Sequence, residues 1–523
     1  MGKYVGIDLG TTYSAVAYID KDNKPQVIKN AENENTTPSV VLYDDGQMMV
    51  GSEAKSTCFS SPETYIANVK RVMGKNERYL LGSQSYAPEE VSSMILKKIK
   101  QDAENSLGEE VLGAVITCPA YFTDAQRQAT RDAAKIIGLP VLGIINEPTA
   151  AALAYGIKKG SNENKKVLIY DMGGGTFDVS IMEFSKDKVE TLCSLGDSEL
   201  GGSDFDQLIM DWFKSKAKEL NLDIDADLMA KQSLFIEAER VKKLLSGSRN
   251  EVQIALPVQG KLVKAKLTQS EFENMIDNYV YESISVLNSA LDEANLEYED
   301  LDQIILVGGS TKIPYVRRMI EEETGIVPST DINADEAVAI GAAYAAVNFV
   351  RDHDQIIENE EIQKNEQKPV YDKKEIPTAD QSYTFTDRTS HGIGIEIYDE
   401  ETGEDMYSVI LPKNSILPAE EAKEFQTIID YQTEIEIIVR QGESPNIKYT
   451  TEIGKSILKL RPKPKNSPIQ IVISCDLDGL VHVSVFDLTD NENLGEMRID
   501  RAANMNEECI QEAINKLGEL NIG

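Results

Sequence analysis

Two glycine-rich turns in the sequence are built alike and carry the residue types that bind phosphate. The first is Val5-Gly6-Ile7-Asp8-Leu9-Gly10-Thr11-Thr12, and the second is Ile169-Tyr170-Asp171-Met172-Gly173-Gly174-Gly175-Thr176. Glycines let backbone N–H groups converge on phosphate oxygens, threonine hydroxyls add donors, and aspartates can hold Mg²⁺ through its waters. We therefore predict that the two turns face each other and hold one polyphosphate between them.

The repetition of the turn favours this interpretation over an ordinary hairpin. A single glycine turn between two strands is more often structural than functional. Here Asp8 and Asp171 occupy the same place in both copies, 163 positions apart (171 minus 8). An alternating strand follows each turn, at Ala15–Ile19 and at Phe177–Ile181. The pattern indicates a duplicated half-domain with one phosphate-binding hairpin in each half.

A third glycine turn, Gly308-Gly309-Ser310-Thr311, follows the apolar run Ile304–Val307. Pro314 then opens a predicted helix. A helix N-terminus beside a Gly-Gly turn can bind an anion or a nucleotide. Taken alone, this pattern is also typical of a plain strand-to-helix turn.

The elements that must position these turns alternate between strand and helix up to about residue 350. This alternation predicts an α/β architecture with more than one lobe. The predicted strands are Tyr4–Ile7, Val111–Thr117, Val167–Tyr170 and Gln303–Val307. The predicted helices are Glu89–Leu107, Asp124–Ile137, Asp227–Leu245 and Pro314–Thr324.

The remaining part of the chain follows a different pattern. From Arg351 to about Gln381 it is polar, with clustered glutamates and two prolines, which predicts an extended linker. From about Ser382 to Arg501 the apolar period is two, which predicts an antiparallel β-sandwich. The predicted strands are Ile393–Tyr398, Tyr407–Leu411, Glu424–Tyr431, Glu434–Arg440, Ser456–Arg461 and a pair around Asp478-Gly479. After Asn506, apolar residues at helical spacing predict one short helix.

The composition excludes several classes of function. The 523 residues contain 53 Lys+Arg and 88 Asp+Glu, a formal net charge of −35, so we expect neither nucleic acid nor a membrane surface as a partner. Five scattered cysteines and three isolated histidines supply no zinc site, disulfide framework or Ser-His-Asp triad. No apolar stretch reaches the roughly 18 residues of a membrane span. We expect no secretory signal, because the first eight residues enter a strand pattern directly, without an apolar h-region. We expect a cytoplasmic protein.

Six motifs in the first part of the chain form a specific set. They are Gly6-Ile7-Asp8-Leu9-Gly10-Thr11-Thr12, Cys118-Pro119-Ala120-Tyr121-Phe122, Ile145-Asn146-Glu147-Pro148-Thr149-Ala150-Ala151, Asp171-Met172-Gly173-Gly174-Gly175-Thr176-Phe177-Asp178, Val307-Gly308-Gly309-Ser310-Thr311 and Asn333-Ala334-Asp335-Glu336-Ala337-Val338-Ala339. With them the chain resembles the DnaK-type chaperones, the seventy-kilodalton heat-shock protein family. The resemblance is strong over about 350 residues and looser over the β region.

The resemblance implies a domain organisation. Residues 1–350 would form an actin-like, two-lobed α/β ATPase domain, and residues 351–385 an acidic interdomain linker. Residues 386–503 would form an all-β antiparallel sandwich that binds peptide substrates. Residues 504–523 would form a short C-terminal helix, without the helical lid of the family, because only about 17 residues follow Asn506.

The resemblance also implies ATP or ADP in the cleft between the lobes, with Mg²⁺ and with K⁺ as a further candidate. Asp8 and Asp171 would face Mg²⁺ through water. The catalytic residues would be Lys70, Glu147, Asp171 and Thr176. The nucleotide would be held by Asp8, Gly10, Thr11, Thr12, Tyr13, Gly173, Gly174, Gly175, Gly201, Gly202, Glu239, Lys242, Ser246, Gly308, Gly309, Ser310, Lys312 and Asp335. Without the resemblance, Lys70 reads as a surface lysine, Glu147 as a favourable anion at a helix start, and Glu239 with Lys242 as a surface pair.

A hydrophobic peptide cleft in the sandwich is implied as well. Lys413–Pro418 and Val439–Glu443 match the anchoring motifs, and the implied cleft residues are Ile395, Tyr398, Phe425, Ile428, Ile435 and Ile437. Unfolded or extended hydrophobic polypeptides would bind there through backbone hydrogen bonds and an apolar pocket. The alternative is that these alternating isoleucines form the core of the sandwich. A J-domain co-chaperone and a nucleotide exchange factor are further implied partners.

Several positions depart from the family pattern. Without a lid, a captured peptide should leave quickly. The linker offers only Tyr383 and Phe385 as apolar residues that could dock on the ATPase domain. Gly143 stands where the family carries an arginine used in domain coupling and J-domain contact. Lys312 replaces an arginine near the adenine and loses its planar stacking. The segment from Gly74 to Pro88 is short. These departures leave open whether the two domains are coupled.

Three hypotheses follow. The leading one is an ATP-hydrolysing chaperone that binds exposed hydrophobic segments. The alternative is a nucleotide-gated scaffold whose β domain recognises one dedicated partner. A small-molecule kinase of the same actin-like superfamily is the third, and an appended peptide-type sandwich has no use in such an enzyme.

Overall fold

The computed structural model describes residues 2–159, 164–185, 188–361, 384–399, 402–497, 505–518 and 520. The first lobe is built on a sheet in the order β11-β10-β1-β2-β3. Its strands are β1 (Lys3–Asp8), β2 (Tyr13–Ile19), β3 (Pro25–Ile28), β4 (Thr37–Pro38), β5 (Val41–Asp44), β6 (Gln47–Val50), β7 (Tyr65–Ile66), β8 (Tyr79–Leu81), β9 (Gln84–Tyr86), β10 (Val111–Cys118) and β11 (Val141–Asn146). Its helices are α1 (Ser52–Thr57), α2 (Pro88–Leu107), α3 (Asp124–Ile136) and α4 (Glu147–Lys159).

The helix boundaries of this lobe follow from local signals. Helix α2 begins with Pro88, and the Glu90 carboxylate accepts the Ala87 N–H at 2.7 Å. It ends at Leu107, and the next residue, Gly108, caps it with a φ of +67°, which suits glycine. Helix α3 begins after Thr123, which forms a capping box with Gln126.

The second lobe repeats the central topology of the first. In the first lobe, β1 pairs in parallel with β10 and antiparallel with β2. In the second lobe, β12 pairs in the same way with β17 and with β13. Its strands are β12 (Lys165–Met172), β13 (Phe177–Ser185), β14 (Lys188–Asp197), β15 (Glu251–Val258), β16 (Lys261–Thr268) and β17 (Gln303–Val307). Its helices are α5 (Gly202–Glu219), α6 (Leu228–Leu245), α7 (Gln269–Ala294) and α8 (Pro314–Thr324), and α9 (Ala337–Glu361) returns to pack on β1 and α4. The predicted duplication is therefore present in the fold.

Strand β18 (Thr384–Thr386) adds to the edge of the second lobe by pairing in parallel with β14, and a sandwich of two four-stranded antiparallel sheets follows. The orders are β20-β19-β22-β23 and β21-β24-β25-β26. The strands are β19 (Ile393–Asp399), β20 (Glu404–Leu411), β21 (Ala419–Gln426), β22 (Gln432–Gln441), β23 (Thr451–Lys463), β24 (Pro468–Cys475), β25 (Val481–Asp487) and β26 (Glu492–Met497). Helix α10 (Glu507–Gly518) buries Ile510, Ala513 and Leu517 against α2 and α3 of the first lobe.

The predicted fold class is confirmed, with two corrections to individual elements. The helical pattern does not stop at Arg351, because α9 continues to Glu361. The predicted strand Glu424–Tyr431 is wrong in its second half. Strand β21 ends at Gln426, and Tyr431 has a φ of +59°, which a regular strand does not allow. Residues 362–383, most of the predicted linker together with Tyr383, lie outside the described residues. Across the described ranges, no helix is long and apolar enough to cross a membrane.

Candidate functional site

The structure brings the two glycine turns face to face, as predicted. A methyl group on Gly174 would lie 2.3 Å from Oγ1 of Thr12, and one on Gly175 would lie 2.3 Å from Cγ2 of Thr11. Within the second turn, the Gly173 N–H donates to the Thr176 carbonyl at 3.0 Å. Because any side chain at Gly174 or Gly175 would collide with the opposite turn, the close approach requires glycine there.

Behind the second turn lies the start of helix α5. The Gly202 N–H donates to the Gly173 carbonyl at 3.0 Å, and the Ser203 N–H donates to the Gly174 carbonyl at 2.7 Å. Gly201 packs against the backbone of Gly175. Gly201 and Gly202 therefore support the turn from behind, and Gly175 lies within the turn against Thr11. The other predicted nucleotide residues line one cavity.

That cavity has a volume of about 680 Å³ and lies between the two lobes. The predicted residues that line it are Asp8, Gly10, Thr11, Thr12, Tyr13, Lys70, Glu147, Asp171, Gly173, Gly174, Thr176, Glu239, Lys242, Ser246, Gly308, Gly309, Ser310, Lys312 and Asp335. A volume of this size is in the range of cofactor pockets. Residues far apart in the sequence thus converge on one site that can take a nucleotide.

The base of the cavity holds a buried ion pair. The Lys70 ammonium donates to Oε1 of Glu147, and both residues are less than a tenth exposed. Lys70 belongs to a short 3-10 turn, Val69–Val72, and Glu147 is the first residue of α4. Burial opposes the charge on Lys70, but Glu147 and Asp8 outweigh it and raise the pKa of the ammonium. Lys70 is therefore a fixed cation inside the site.

Three aspartates near this pair have raised pKa values, so they bind a proton more readily than ordinary aspartates. Burial, followed by repulsion from Glu147, raises the pKa of Asp8 to about 7 and that of Asp178 to about 7. The same two causes raise the pKa of Asp171 well above its ordinary range. Crowded carboxyl groups of one sign are stabilised by a divalent cation, so this donor set fits a hydrated Mg²⁺. Among the described residues, no group of three or more acidic, His or Cys side chains is placed to bind a metal directly.

Glu239 of α6 lies in a network that joins the two lobes. The Tyr13 hydroxyl donates to its Oε1 at 2.8 Å, and the Lys55 ammonium donates to its Oε2 at 2.5 Å. Lys243 forms a third contact, an ion pair at 2.6 Å. Burial opposes the charge on Glu239, but Lys55 and Lys243 outweigh it and lower the pKa of the carboxyl to about 2. Tyr13 and Lys55 come from the first lobe, so the network closes one side of the cavity.

The third glycine turn lies beside the second, because β17 pairs in parallel with β12. Gly308 has a φ of +81°, and the Ser310 hydroxyl donates to the Gly173 carbonyl at 2.7 Å. Lys312 is about half exposed and pairs with Asp335. Lys242 donates to the Gly202 carbonyl at 2.7 Å and pairs with Asp206 at 2.8 Å. The predicted residues of this region are thus present in the cavity wall, and they are partly engaged with one another.

The sequence analysis missed several residues of the cavity wall, among them Arg71 and Lys55. Arg71 donates to the Gly175 carbonyl at 2.9 Å and to Asp204 at 3.0 Å, so it braces the second glycine turn from the other lobe. Its place next to Lys70 was a usable signal. Lys55 lies in a helix with no motif, and its partner Glu239 is 184 positions away. Nothing local in the sequence indicates that contact.

The six residues of the predicted peptide cleft divide into three pairs. Ile395 and Ile437 are buried in the core of the sandwich, at 4% and 1% exposure. Phe425 and Ile435 are partly buried against that core. Tyr398 and Ile428 are about half exposed. The alternative prediction, that the isoleucines are core residues, thus describes the placement of Ile395 and Ile437.

The sandwich packs directly on both lobes. The Asp478 carboxylate accepts the Ile144 N–H at 2.8 Å and pairs with Arg131, and the Asp124 carboxylate accepts the Val481 N–H at 2.8 Å. Buried Asp387 accepts hydrogen bonds from the hydroxyls of Thr149 and Thr191.

Next to these contacts, Phe385 of β18 meets Phe349 of α9, with ring centroids 6.1 Å apart. Phe349 in turn covers Gly143, where an added methyl group would lie 2.7 Å from the ring. Phe385 therefore docks on the two-lobed domain, as the sequence analysis proposed for this residue.

Comparisons with known proteins agree with this picture. The family model described as Hsp70 protein matches residues 4–80, 76–357 and 377–521. The chain is 41% identical over 495 residues to a protein named chaperone protein DnaK from Thermotoga petrophila, covering 92% of this chain and 78% of that protein. It is 42% identical over 495 residues to a protein of the same name from Thermosipho africanus, with the same coverage of both chains.

Proposed function

The chain belongs to the Hsp70 family, and from that premise we propose how its own residues perform the work of the family. The protein is an ATPase and an ATP-dependent chaperone that binds unfolded polypeptides and works with co-chaperones. The observation that supports the residue assignment best is the pair of glycine turns facing each other across one cavity, with Lys70 and Glu147 at its base.

In the proposed hydrolysis step, Lys70 carries the central role. Its ammonium is fixed, charged and buried, so it can neutralise charge that develops on the γ-phosphate and orient the attacking water. Glu147 holds the ammonium in place and can accept a hydrogen bond from that water. Thr176 and the backbone of Gly173 and Gly174 provide donors for the phosphate oxygens.

The proposed cation site lies between Asp8 and Asp171. Bound Mg²⁺ supplies neutralisation of phosphate charge and orientation of the phosphate oxygens. The two carboxylates would hold it through its water molecules, since each is crowded by Glu147 and gains from a nearby positive charge. K⁺ is a further candidate in the same acidic region.

The nucleoside would occupy the opposite part of the cavity. Glu239 and Lys242 of α6 and Ser246, the residue that caps its C-terminus, line one side of the cavity. Gly309 and Lys312 line the other side. Lys312 retains a positive charge near the base but cannot stack as a guanidinium does. We therefore expect the base to be held mainly by α6 and by the backbone of the third glycine turn.

The sandwich is proposed to bind extended hydrophobic segments near Tyr398 and Ile428, the two cleft residues with half-exposed side chains. The family membership favours a general chaperone over the dedicated scaffold and over the small-molecule kinase. A panel of unrelated unfolded peptides tests this function. Broad binding at micromolar concentration that weakens with ATP supports it, and binding to none of the peptides contradicts it.

One further measurement on the same protein tests whether the sandwich and the two-lobed domain are coupled. We propose domain limits at about 350, 385 and 503, with the sandwich and the two-lobed domain in contact through Asp478 and Asp387. The ATPase rate should then change when an extended apolar peptide is added. An unchanged rate would mean that Gly143 and the polar linker have uncoupled the domains.

The proposed setting is the cytoplasm. All five cysteines are free in the structure, and four of them are buried, which fits a reducing compartment. The net charge of −35 is unfavourable for nucleic acid and for anionic membranes, so proteins are the expected partners. A J-domain co-chaperone and a nucleotide exchange factor are the specific partners we propose.

A further inference from the structure

His391 lies in the joint between the sandwich and the first lobe. Its ring packs against that of Tyr121 in a tilted arrangement, with centroids 4.1 Å apart and an angle of 58° between the planes. Its Nε2 lies 3.3 Å from the Tyr121 carbonyl oxygen, and the adjacent Ser390 hydroxyl donates to the Ala120 carbonyl. The imidazole is therefore one of the surfaces by which the sandwich contacts the Ala120–Tyr121 turn.

Positive groups face this ring from both sides of the joint. Arg127 of α3 is held by the Ala120 carbonyl at 3.1 Å, and Lys413 of the sandwich is paired with Glu293 of α7 at 2.8 Å. Both cations disfavour a charge on His391.

Negative groups also lie around Tyr121, and they are partly engaged elsewhere. Glu443 of the sandwich accepts the Gly392 N–H at 2.6 Å, and Glu293 is shared between Lys413 and Asn414. Asp197 of β14 is the remaining carboxylate that acts on Tyr121. The described contacts of the ring place no carboxylate in an ion pair with it, so a proton on His391 has two cations nearby and no counter-ion in contact.

The docked environment therefore favours the neutral ring. Burial, followed by Lys413 and Arg127, lowers the pKa of His391 from 6.5 to about 4, although the Tyr121 carbonyl acts in the opposite direction. A histidine whose pKa falls on docking favours the docked form at pH values above the pKa that it has in the undocked form. That stabilisation is lost as the pH falls from about 6.5 towards 4.

We propose that His391 is an acid-sensitive switch of domain docking: the neutral imidazole fits the joint against Tyr121, and its protonation releases the sandwich from the two-lobed domain. Release frees the Ala120–Tyr121 turn, whose Tyr121 N–H donates to Asp178 at 3.1 Å beside the phosphate turn. The switch thus connects the joint to the nucleotide site through one residue.

The docking equilibrium is the right readout, because Asp8 and Asp178 also titrate near pH 7 and make the ATPase rate ambiguous. The full chain carries a donor and an acceptor dye on Lys29→Cys in the first lobe and Lys448→Cys in the sandwich, with Cys509→Ser to remove the one cysteine that is not buried. Energy transfer with ATP bound is measured between pH 7.5 and pH 5. The docking constant should fall roughly 25-fold over this interval, given a shift of pKa from 6.5 to about 4.

Three variants complete the test. His391→Leu keeps an apolar side chain and removes the titration, so its docking constant should change less than about twofold over the same range. His391→Gln serves the same purpose if the leucine variant does not dock. His482→Leu, at the exposed histidine of the sandwich, should retain the dependence of the unmodified protein. The proposal is overturned if the unmodified chain shows less than about a threefold change, or if both His391 variants keep its full pH dependence.

Discussion

Lys70 and Glu147 form a buried ion pair, although they are 77 positions apart in the sequence and come from different elements of the first lobe. Each is the other's nearest opposite charge in a region where Asp8, Asp171 and Asp178 crowd together. Removal of the lysine would leave a surplus of negative charge beside the expected position of the γ-phosphate. The pair is therefore the point where the electrostatics of the site are most sensitive to mutation.

Replacing Lys70 with alanine should lower the single-turnover rate of ATP hydrolysis by roughly 100-fold or more, because a preorganised donor to the developing charge is lost. Nucleotide binding should persist, since the glycine turns and α6 remain. Rapid-quench measurement with excess protein separates hydrolysis from product release. Lys29→Ala, an exposed lysine of the same lobe, is the control. An unchanged hydrolysis rate in Lys70→Ala would remove Lys70 from the mechanism.

The crowded Asp8 carboxyl predicts a pH-dependent affinity for Mg²⁺. With the pKa of Asp8 at about 7, the cation must displace a proton below that pH. Below pH 7, the affinity for Mg²⁺ in the presence of ADP should thus fall about tenfold per pH unit for each carboxylate that must ionise. Asp8 is the first such carboxylate, and Asp171 is the second. Calorimetric titration at pH 6, 7 and 8 measures this slope. A flat profile would contradict the shifted pKa.

The same shift has a consequence for stability that Asp8→Asn can reveal. A carboxyl group whose pKa is raised on folding destabilises the protein increasingly as the pH rises from 3.8 through 7. Without metal, Asp8→Asn should therefore raise the unfolding temperature by a few °C at pH 8 and by less at pH 5. Equal changes in the unfolding temperature at both pH values would show that ionisation of the Asp8 carboxyl does not destabilise the folded protein.

The bridge from Lys55 to Glu239 predicts slow nucleotide release. Lys55 also donates to the Tyr13 hydroxyl at 2.7 Å, so one ammonium ties α1 of the first lobe to α6 of the second over the cavity. Lys55→Ala should release labelled ADP roughly 3- to 10-fold faster, a moderate effect because both side chains are partly exposed. Lys75→Ala removes an ion pair with Glu199 that also joins the lobes but is largely exposed, and it should leave the release rate unchanged.

Local patterns were sufficient for the elements that begin and end with their own signals. Strand β17 and helix α8 have the predicted limits, because an apolar run, a proline and a following glycine mark them within a few residues. The facing of the two glycine turns was also predictable, since the duplicated pattern of Asp8 and Asp171 implies a symmetric pair of hairpins around one ligand.

Contacts between distant segments were not predictable in the same way. The extension of α9 to Glu361 and the pairing of β18 with β14 depend on surfaces supplied by the rest of the fold. The burial of Ile437 and the half-exposure of Tyr398 come from strands with the same alternating pattern. Periodicity assigns such residues to a face, and the packing of the two sheets decides how much of each remains open.

The resemblance described under Sequence analysis leads us to expect an arginine at position 143, where this chain has Gly143. The neighbouring Phe349 predicts what an arginine would do there. A Cβ atom at Gly143 would lie 2.7 Å from the end of the Phe349 ring, so the ring must move away and lose its contact with Phe385. Amide exchange in β18 should then become roughly 3- to 10-fold faster in Gly143→Arg, because one aromatic pair is lost.

A double-mutant cycle shows whether the displaced ring is the cause. If Gly143→Arg acts only by moving Phe349, the double variant Gly143→Arg/Phe349→Ala should exchange at the rate of Phe349→Ala alone. Additive effects would point to a separate action of the arginine. Gly113→Ala, on the neighbouring strand β10, is the control, because its Cβ would lie 3.3 Å from both Leu142 and the Pro140 carbonyl oxygen and would not contact Phe349. The cycle therefore measures how strongly the contact with Phe349 holds Phe385 on the two-lobed domain.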